Sequence, residues 1–448
     1  MAASSKTNPR IPNGAAMHAS ILLIGLLFFG AHAFSLLFER TSVPDVLLLM
    51  LVGIAAGPLL GLVSPEDFGG IGDVMSSIAL VVILFEGGMT LNLATLGATI
   101  RRAFPLFLAT FLGTAGLVAA AGMLSLGLPP LSAVIFGCVL GSISPAVVLP
   151  LARCLGLSKA SNDILVVETS LTDVFSIILV FSLVSAPAGG GLEVGKMIGA
   201  MLSALVFAAA IGLAASFLWL KMLDFVRRFP NTMLSTLAFL FIVYGFTEFL
   251  GFSGAIASLA FGLGIANKPF AFLSRLGSRL DSRLDSPLAT VSEAEMAFFN
   301  EMIFLLKTFF FVYLGISIRF AGLGSVGLGL GLTAALYCLR LLAVWSRPEA
   351  GFLKRDATFV SIMAPKGLAS AVLAGLPLKA GLEGAQAMRD AAYMVIFFSI
   401  IATSLLVFLI KRGVLEGFYG RVLRRFPEAE AAAPGLAAGT AEAPDVAG

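Results

Sequence analysis

A series of long, nearly uncharged apolar segments constrains this chain more than any other feature. A helix needs about 20 apolar residues to cross the hydrocarbon core of a bilayer. Thirteen segments qualify, at residues 17–38, 44–63, 72–90, 103–126, 130–153, 161–185, 193–220, 232–250, 252–267, 295–319, 323–346, 356–378 and 389–412. Hydrophobic residues make up 58% of the chain and charged residues only 12%, more apolar side chain than a soluble domain can bury. We therefore predict an all-α polytopic membrane protein with about 13 transmembrane helices, not a soluble enzyme, a nucleic-acid binder or a disulfide scaffold.

Lys and Arg are distributed unevenly between the two sets of loops. If the N-terminus is outside, the inner loops and the C-terminal tail hold most of the 29 basic residues. Because cytoplasmic loops are enriched in these residues, we expect the N-terminus outside and the C-terminus in the cytoplasm of a bacterial inner membrane. Residues 1–16 then form an outer segment. The Ala/Gly/Pro/Glu-rich composition of the chain end predicts a cytoplasmic, disordered tail at 413–448.

Two further patterns each allow two interpretations. The loop 267–290 repeats Arg, Leu and Ser every four residues, which fits either an interfacial helix or a cytosolic linker. Gly53, Gly57 and Gly61 form a GxxxGxxxG motif, which suits either a dimer interface or close packing within one chain.

Spans 5 and 12 are interrupted by proline beside small polar residues. Span 5 contains GSISPAVVLP, with Pro145 after Ser142 and Ser144, and span 12 contains SIMAPKGLASAVLAGLP, with Pro365 before Gly367. A proline inside a helix removes a hydrogen bond and clashes with the preceding turn. Thirteen spans divide into six, one linker and six, so the two breaks occupy matching positions. Matched breaks point to the midplane binding site of a transporter, and we predict an inverted repeat with two crossing broken helices.

Span 6, ILVVETSLTDVFSIILVFSL, carries two carboxylates in an apolar setting. Glu168 and Asp173 lie five residues apart, roughly 140° around a helix, and therefore face different neighbours. Thr169, Asp173 and Ser176 lie within about 60° of one another, which places one carboxylate among hydroxyl oxygens. Hard cations such as Na⁺ prefer oxygen ligands, and burial favours the protonated form of a carboxyl group. We predict that Asp173 binds either a cation or a proton, the alternative being a structural ion pair.

The remaining charges inside the spans each need a partner, because an isolated charge at mid-bilayer costs at least about 3 kcal/mol. We expect Glu168 to form a mainly structural pair with Arg340 of span 11, since Arg suits bidentate carboxylate pairing. Lys366 at the second break either neutralises the negative half-helix end or pairs with Asp173. Lys307 and Glu86, in the third span of each half, are accessory candidates that either meet or reach water.

Four motifs together resemble one family over roughly residues 20–412. They are VVILFEGGMTLN (81–92), ISPAVVLP (143–150), FTEFLGFSGAIASLAFGLGIAN (246–267) and APKGL (364–368). They are similar to motifs of the monovalent cation:proton antiporter superfamily, which includes the NhaP, NapA, NHE and NHA exchangers. The first is NhaP-like, and the two break motifs are NHA-like.

This resemblance implies an NhaA-like fold and roles for several residues. Asp173 would be the ion- and proton-binding aspartate, with Thr172, Thr169, Ser144 and Ser142 around it. Glu168 and Arg340 would steady the core, with Lys366 at the crossing. The resemblance also implies a homodimer whose core helices (103–185 and 323–412) move in elevator fashion against dimer helices (17–90 and 232–319), joined by a linker helix at 193–220.

The chain departs from the superfamily pattern at two positions. Electrogenic relatives carry Asp-Asp in span 6 and electroneutral ones Asn-Asp, whereas this chain has Thr172-Asp173. Many NhaP-type relatives also have an aspartate at the first break, where this chain has Ser144. One carboxylate at the site predicts exchange of one cation for one proton.

We therefore predict an electroneutral Na⁺ (or Li⁺)/H⁺ antiporter with a role in pH homeostasis. The alternatives are a K⁺/H⁺ antiporter, a gated cation channel or, in another class, an organic-anion symporter of similar fold. We expect no enzymatic activity and no cofactor. The expected partners are the lipid bilayer, the transported cations and protons and a second copy of the chain, but no nucleic acid.

Overall fold

The computed structural model describes residues 13–41, 43–90, 93–184, 194–229, 232–267, 292–320, 323–347 and 351–428, and within these ranges the chain is helical and has no strand. The first helices are α1 (Asn13–Thr41), α2 (Asp45–Ile54), α3 (Gly70–Thr90), α4 (Leu93–Leu126), α5 (Pro130–Gly141), α6 (Pro145–Cys154), α7 (Lys159–Val184) and α8 (Val194–Val226). The others are α9 (Ser235–Phe249), α10 (Gly254–Asn267), α11 (Glu293–Ser317), α12 (Leu323–Trp345), α13 (Lys354–Ser361), α14 (Leu368–Lys379), α15 (Ala385–Lys411) and α16 (Glu416–Val422).

Many of these helices are long and apolar enough to cross a membrane. Among the described residues seven qualify by length and composition: Thr99–Leu126, Pro130–Cys154, Lys159–Val184, Leu205–Val226, Ala294–Ser317, Gly324–Trp345 and Ala385–Lys411. Shorter apolar helices include Ser235–Phe249, Gly254–Asn267 and Leu368–Lys379. The predicted all-α membrane protein is confirmed, and the count of thirteen spans stays a prediction.

The two predicted helix breaks are present. Span 5 consists of α5 and α6, separated by three residues, 142–144, and span 12 consists of α13 and α14, separated by residues 362–367. Pro145 is the first residue of α6, where its missing N–H would have had no helical partner in any case. Proline thus starts the second half-helix of span 5 and lies within the unwound residues of span 12.

The packing of the helices brings distant parts of the chain together. α10 packs against α3 and α8, and α11 packs against α2. α4 packs against α5 and α7, and α15 packs against α12 and α14. Helices 4 to 7 and 12 to 15 thus contact one another around the breaks, while the predicted division into moving core and static scaffold stays a prediction.

The GxxxGxxxG motif serves packing within the chain. A Cβ added to Gly53 would lie 2.9 Å from the Cα of Gly315 in α11, and one added to Gly57 would lie 2.9 Å from the Cα of Ile316. Gly61 instead lies beyond the helix at φ +62°, with open space around it. Two of the three glycines therefore allow α2 and α11 to approach closely, as small residues do in membrane proteins.

The predicted disordered tail is wrong for its first part. Residues 416–422 form α16, in which Tyr419 is buried, and Leu423 and Phe426 beyond it are buried too. Their spacing of four and three residues is an amphipathic helical pattern that the alanine-rich composition further along obscured. The backbone N–H of Lys354 donates to the carbonyl of Pro427 at 2.9 Å, so this segment docks against the start of α13.

Other boundaries differ by several residues. α4 begins at Leu93 rather than 103, and α8 extends to Val226 rather than 220. Residues 268–291, which hold nearly all of the Arg/Leu/Ser repeat, lie outside the described residues, as do residues 1–12 of the N-terminal segment.

Candidate cation site at the crossing of two helix breaks

The two breaks meet in the interior of the protein. The backbone N–H of Ser144 donates to the carbonyl of Pro365 at 2.8 Å, which joins the first unwound segment to the second. A Cβ added to Gly367 would lie 2.5 Å from the Cβ of Ser144, so only glycine permits this approach without displacement. Unwound backbone is tolerated at membrane depth where protein surrounds it. Here a backbone N–H of the first break donates to a backbone carbonyl of the second.

Asp173 of α7 faces this crossing. The residue is 6% exposed, and Ser142, which directly follows the last residue of α5, donates a hydrogen bond from Oγ to Asp173 Oδ1. Because the backbone leaves the helix at Ser142, that hydroxyl turns towards α7 instead of bonding back to its own helix. The predicted carboxylate and one predicted hydroxyl are thus in direct contact.

The neighbouring threonines hold the site in place. The backbone N–H of Ile143 donates to Thr172 Oγ1 at 3.1 Å, and that hydroxyl donates to the carbonyl of Thr169 at 2.8 Å. Thr169 itself donates to the carbonyl of Leu165 at 2.9 Å. Thr172 therefore fixes the first break against α7. The hydroxyl proton of Thr169 is instead donated to a carbonyl within α7.

Two buried hydroxyls near the crossing have no hydrogen-bond partner among the described residues. One is Ser176, a turn beyond Asp173 on the same stripe of α7, and the other is Ser370 in the first turn of α14. Because α14 packs against α7, both helices bring an unused oxygen to this region. Sequence reasoning placed Ser176 on the stripe and missed Ser370, whose only signal is its position three residues after Gly367.

Glu168 and Arg340 form a buried ion pair beside the crossing. Arg340 Nη1 donates to Glu168 Oε1, and Nη2 donates to Oε2 at 2.8 Å. Thr110 of α4 adds a hydrogen bond to Oε1 at 2.9 Å, and Arg340 Nε donates to the carbonyl of Val360 at 3.1 Å. Because α13 ends one residue after Val360, it is Arg340 that hydrogen-bonds the carbonyl end of this half-helix, the role considered for Lys366.

Lys366 lies in the second break and is 1% exposed. Its backbone N–H donates to Ser399 Oγ of α15 at 2.9 Å. Its ammonium interacts electrostatically with Asp173 and Glu168, but no carboxylate of the described residues lies within ion-pair distance, 4 Å, of it. The structure thus brings Lys366 near Asp173 without a direct pair.

The comparisons with known proteins agree on one family. The profile described as "Sodium/hydrogen exchanger, transmembrane" matches residues 23–412. This chain belongs to the sodium/hydrogen exchanger family. The predicted membership of the cation:proton antiporter superfamily is thereby confirmed.

The individual relatives of this chain are distant. It is 27% identical over 402 residues to the K(+)/H(+) antiporter NhaP2 of Shewanella oneidensis, covering 85% of this chain and 65% of the relative. It is 30% identical over 114 residues, or 25% of the chain, to the Na(+)/H(+) antiporter 1 of Methanocaldococcus jannaschii. The solved structure of the sodium proton antiporter MjNhaP1 from that organism superposes with a TM-score of 0.66 at 20% identity, covering 91% of this chain and 99% of that one. The chain thus shares the MjNhaP1 fold and spans 65%, less than two thirds, of the NhaP2 length.

Lys307 and Glu86 do not form the pair considered from the sequence. Lys307 Nζ of α11 lies 3.0 Å from Asp45 Oδ2, the first residue of α2. Glu86 is half-buried and interacts electrostatically with Lys307 and Arg153. Within the described residues, however, no cation lies within 4 Å of its carboxylate. Sequence reasoning missed Asp45 because an acidic residue at a helix start usually serves the helix dipole.

The described residues contain no cluster of three or more His, Cys, Asp or Glu side chains that would hold a transition metal. What this chain offers at the crossing is one carboxylate, serine hydroxyls and backbone carbonyls. Such oxygen ligands suit a hard cation, and the carboxylate also accepts a proton.

Proposed function

We propose that this exchanger is a secondary active antiporter that moves one monovalent cation against one proton, with Asp173 binding the two in turn. The observation that carries the proposal is the position of Asp173. It is buried, it faces the crossing of two unwound segments, and it is hydrogen-bonded to Ser142 at one of them. Binding sites at the midplane of transporters are commonly built from such broken helices.

The charges around the site support an electroneutral cycle. Glu168 and Arg340 neutralise each other and keep the same charge throughout. Asp173 is neutral both when it holds a proton and when its carboxylate holds a monovalent cation. With Lys366 charged in both cases, the two loaded forms carry equal charge, so a full cycle moves no net charge across the membrane.

The ligands of the cation would be Asp173, Ser142 and carbonyl oxygens of the unwound segments, with Ser176 and Ser370 as further oxygens. Ser144 contributes its backbone N–H to the crossing, and Thr172 positions the break. We assign Thr169 a supporting role, because its hydroxyl proton is already donated within α7.

We further propose an elevator movement of a homodimer in a bacterial inner membrane, with the N-terminus outside. The hydrogen bonds of Arg340 and Glu168 join α4, α7, α12 and α13. These helices are therefore suited to move as one body that carries Asp173 between the two sides.

The transported cation has two candidates. Sodium or lithium is predicted from the resemblance of the motifs, and the MjNhaP1 structure is titled a sodium proton antiporter. Potassium is the second candidate, because the matched NhaP2 proteins of several Shewanella strains are named K(+)/H(+) antiporters. Selectivity depends on the size of the cavity that the oxygens form.

The test uses the full chain in liposomes with a trapped pH indicator. A pH gradient is imposed, and Na⁺, Li⁺ and K⁺ are added in turn, with the membrane potential held at zero and at about −100 mV. One net charge per cycle would couple to about 2.3 kcal/mol at that potential, so voltage dependence would be plain. We expect cation-driven proton movement whose rate does not depend on the membrane potential.

Asp173→Asn should abolish this exchange, and Asp163→Asn near the start of the same helix is the matched control that should retain it. Voltage-driven proton movement would contradict one-for-one stoichiometry. Conductance without proton coupling would identify a channel, and no proton movement with any cation would reject the antiporter.

A further inference from the structure

A cavity lies away from the crossing, at the helix ends that are predicted to face outside. Its volume is about 320 Å³. It is bounded by the turn after α2, by α3, by the end of α11, by α14 from Ala371 onward and by the first turns of α15. Asp173 is not among the described residues that line it, so this space is distinct from the proposed cation site.

The lining carries an excess of positive charge. Arg319, Lys379 and Arg389 line the cavity together with one carboxylate, Glu66. That carboxylate is already engaged, because Arg319 Nη2 donates to Glu66 Oε1 at 3.1 Å. Three cations and one carboxylate therefore line the same space, which gives the lining a net positive charge.

Two polar atoms in this lining are buried and lack a hydrogen-bond partner among the described residues. One is Oγ of Ser317, the last residue of α11, which is only 8% exposed. The other is Nε of Arg389 in α15. The Nη2 atom of Arg389 lies 3.5 Å from Asp390, and its guanidinium lies 6.0 Å from the ring of Tyr393. Buried donors without partners are uncommon, and here both belong to one cavity.

We propose that this cavity is a binding site for a phosphate-type oxyanion, carried either by inorganic phosphate or by the head group of an anionic lipid. A phosphate group offers several acceptor oxygens and negative charge, which match the guanidinium of Arg389, the ammonium of Lys379 and the hydroxyl of Ser317. Basic pockets between membrane helices hold anionic lipid head groups on the cytoplasmic side of membrane proteins, and the predicted orientation would place this cavity near the head groups of the outer side.

The bound anion would connect two parts of the protein. Arg319 and Ser317 belong to the end of α11, whereas Lys379 and Arg389 belong to α14 and α15. An oxyanion between them would neutralise the like charges that face each other and would hold these helices together. Binding should therefore stabilise the folded protein.

The test measures thermal unfolding of the full-length protein. In neutral detergent, sodium phosphate is titrated against sodium chloride at matched sodium concentration and ionic strength. In a second arm, lipid nanodiscs of phosphatidylcholine alone are compared with nanodiscs that also contain phosphatidylglycerol. A melting temperature raised by phosphate identifies the free anion as a ligand, and a rise with phosphatidylglycerol alone identifies the lipid head group.

The variants assign the effect to the cavity. Arg389→Gln should weaken the apparent affinity by about tenfold or more, because hydrogen bonds to charged groups are the strong ones. Ser317→Ala should weaken it less, and Arg412→Gln at the other end of α15 should match the wild type. If Arg389→Gln does not fold, Lys379→Gln takes its place beside Ser317→Ala. No rise with either probe, or unchanged affinity in the cavity variants, would overturn the proposal.

Discussion

Arg340 holds both carboxylate oxygens of Glu168 and also the last-turn carbonyl of Val360, so one buried guanidinium joins α7, α12 and the first half of the second broken helix. Both partners of the ion pair are essentially unexposed, at 1% and 0% of the side chain. Asp173 lies five residues, about 1.4 turns, further along α7 than Glu168. The pair therefore sets the position of the helix that carries the proposed cation ligand.

Removal of Arg340 should destabilise the protein more than it weakens cation binding. Arg340→Ala leaves Glu168 buried without its counter-charge, a change that costs about 3–5 kcal/mol in buried pairs. The measurement is thermal unfolding in detergent beside the KM for the cation. The double variant Glu168→Leu/Arg340→Met, which removes both charges, should recover part of the stability. An unchanged melting temperature of Arg340→Ala would contradict the structural role of the pair.

Loss of the Ser142 hydroxyl should weaken cation binding without unfolding the protein. Ser142→Ala removes the oxygen that contacts Asp173, and we expect the KM for the cation to rise by about tenfold. Ser404→Ala is the matched control, because that buried hydroxyl donates only to the carbonyl of Ile400 in its own helix. Cation-driven proton movement in liposomes measures both. Equal KM values for the two variants would remove Ser142 from the ligand set.

We expect Thr172 to hold the first break in position, without contributing a charge to the site. Thr172→Val leaves the backbone N–H of Ile143 buried without an acceptor, which costs about 1–3 kcal/mol. Thr172→Ser keeps the hydroxyl and should retain most of the stability. Chemical or thermal unfolding of the two variants checks this, and an equal loss in both would assign the effect to the lost methyl group instead.

The close approach of the breaks predicts a strict requirement for glycine at 367. In Gly367→Ala the new methyl group meets the side chain of Ser144, so the crossing must open and transport should fall sharply. Gly375→Ala in the same half-helix meets no atom within 4 Å and should be neutral or slightly stabilising, since Ala is the better helix former. Transport rates per folded protein compare the two. Full activity of Gly367→Ala would show that the crossing has room for a methyl group at this position.

The docked C-terminal segment should respond to acid. Lys354 Nζ lies 2.7 Å from Glu428, and this hydrogen bond and charge hold the pKa of Glu428 below its ordinary value of 4.5. A lowered carboxyl pKa in the folded state contributes stability above about pH 4.5, and that contribution is lost as the pH falls through the folded value. Hydrogen exchange at the Lys354 amide, which bonds to Pro427, reports the docking.

Glu428→Gln should therefore reduce protection of that amide at neutral pH, and its difference from the wild type should vanish in acid. Glu383→Gln, an exposed carboxylate in the turn before α15, is the control and should match the wild type throughout. A difference that persists unchanged below the lowered pKa would show that Glu428 acts through something other than its charge.

Much of this architecture is fixed by local properties of the sequence. The apolar segments require a membrane, because no soluble core could bury them. Pro145 and Pro365 break their helices wherever these helices pack, since the missing N–H and the ring clash are properties of the residue itself. Asp173, Glu168, Arg340 and Lys366 stand out for a similar reason, because a charge in an apolar span needs a partner or a function.

The contacts between helices were decided by the tertiary structure. Periodicity placed Thr169 and Asp173 on one face of α7, yet the hydroxyl that reaches the carboxylate is Ser142, from another helix. Lys307 pairs with Asp45 and not with Glu86. A helical repeat defines directions around one axis, whereas a hydrogen bond or ion pair depends on distances of a few ångströms between elements far apart in the chain. Packing of whole helices sets those distances. The sequence therefore identified the charged groups and the Glu168–Arg340 pair, whereas the fold determined the partners of Asp173 and Lys307.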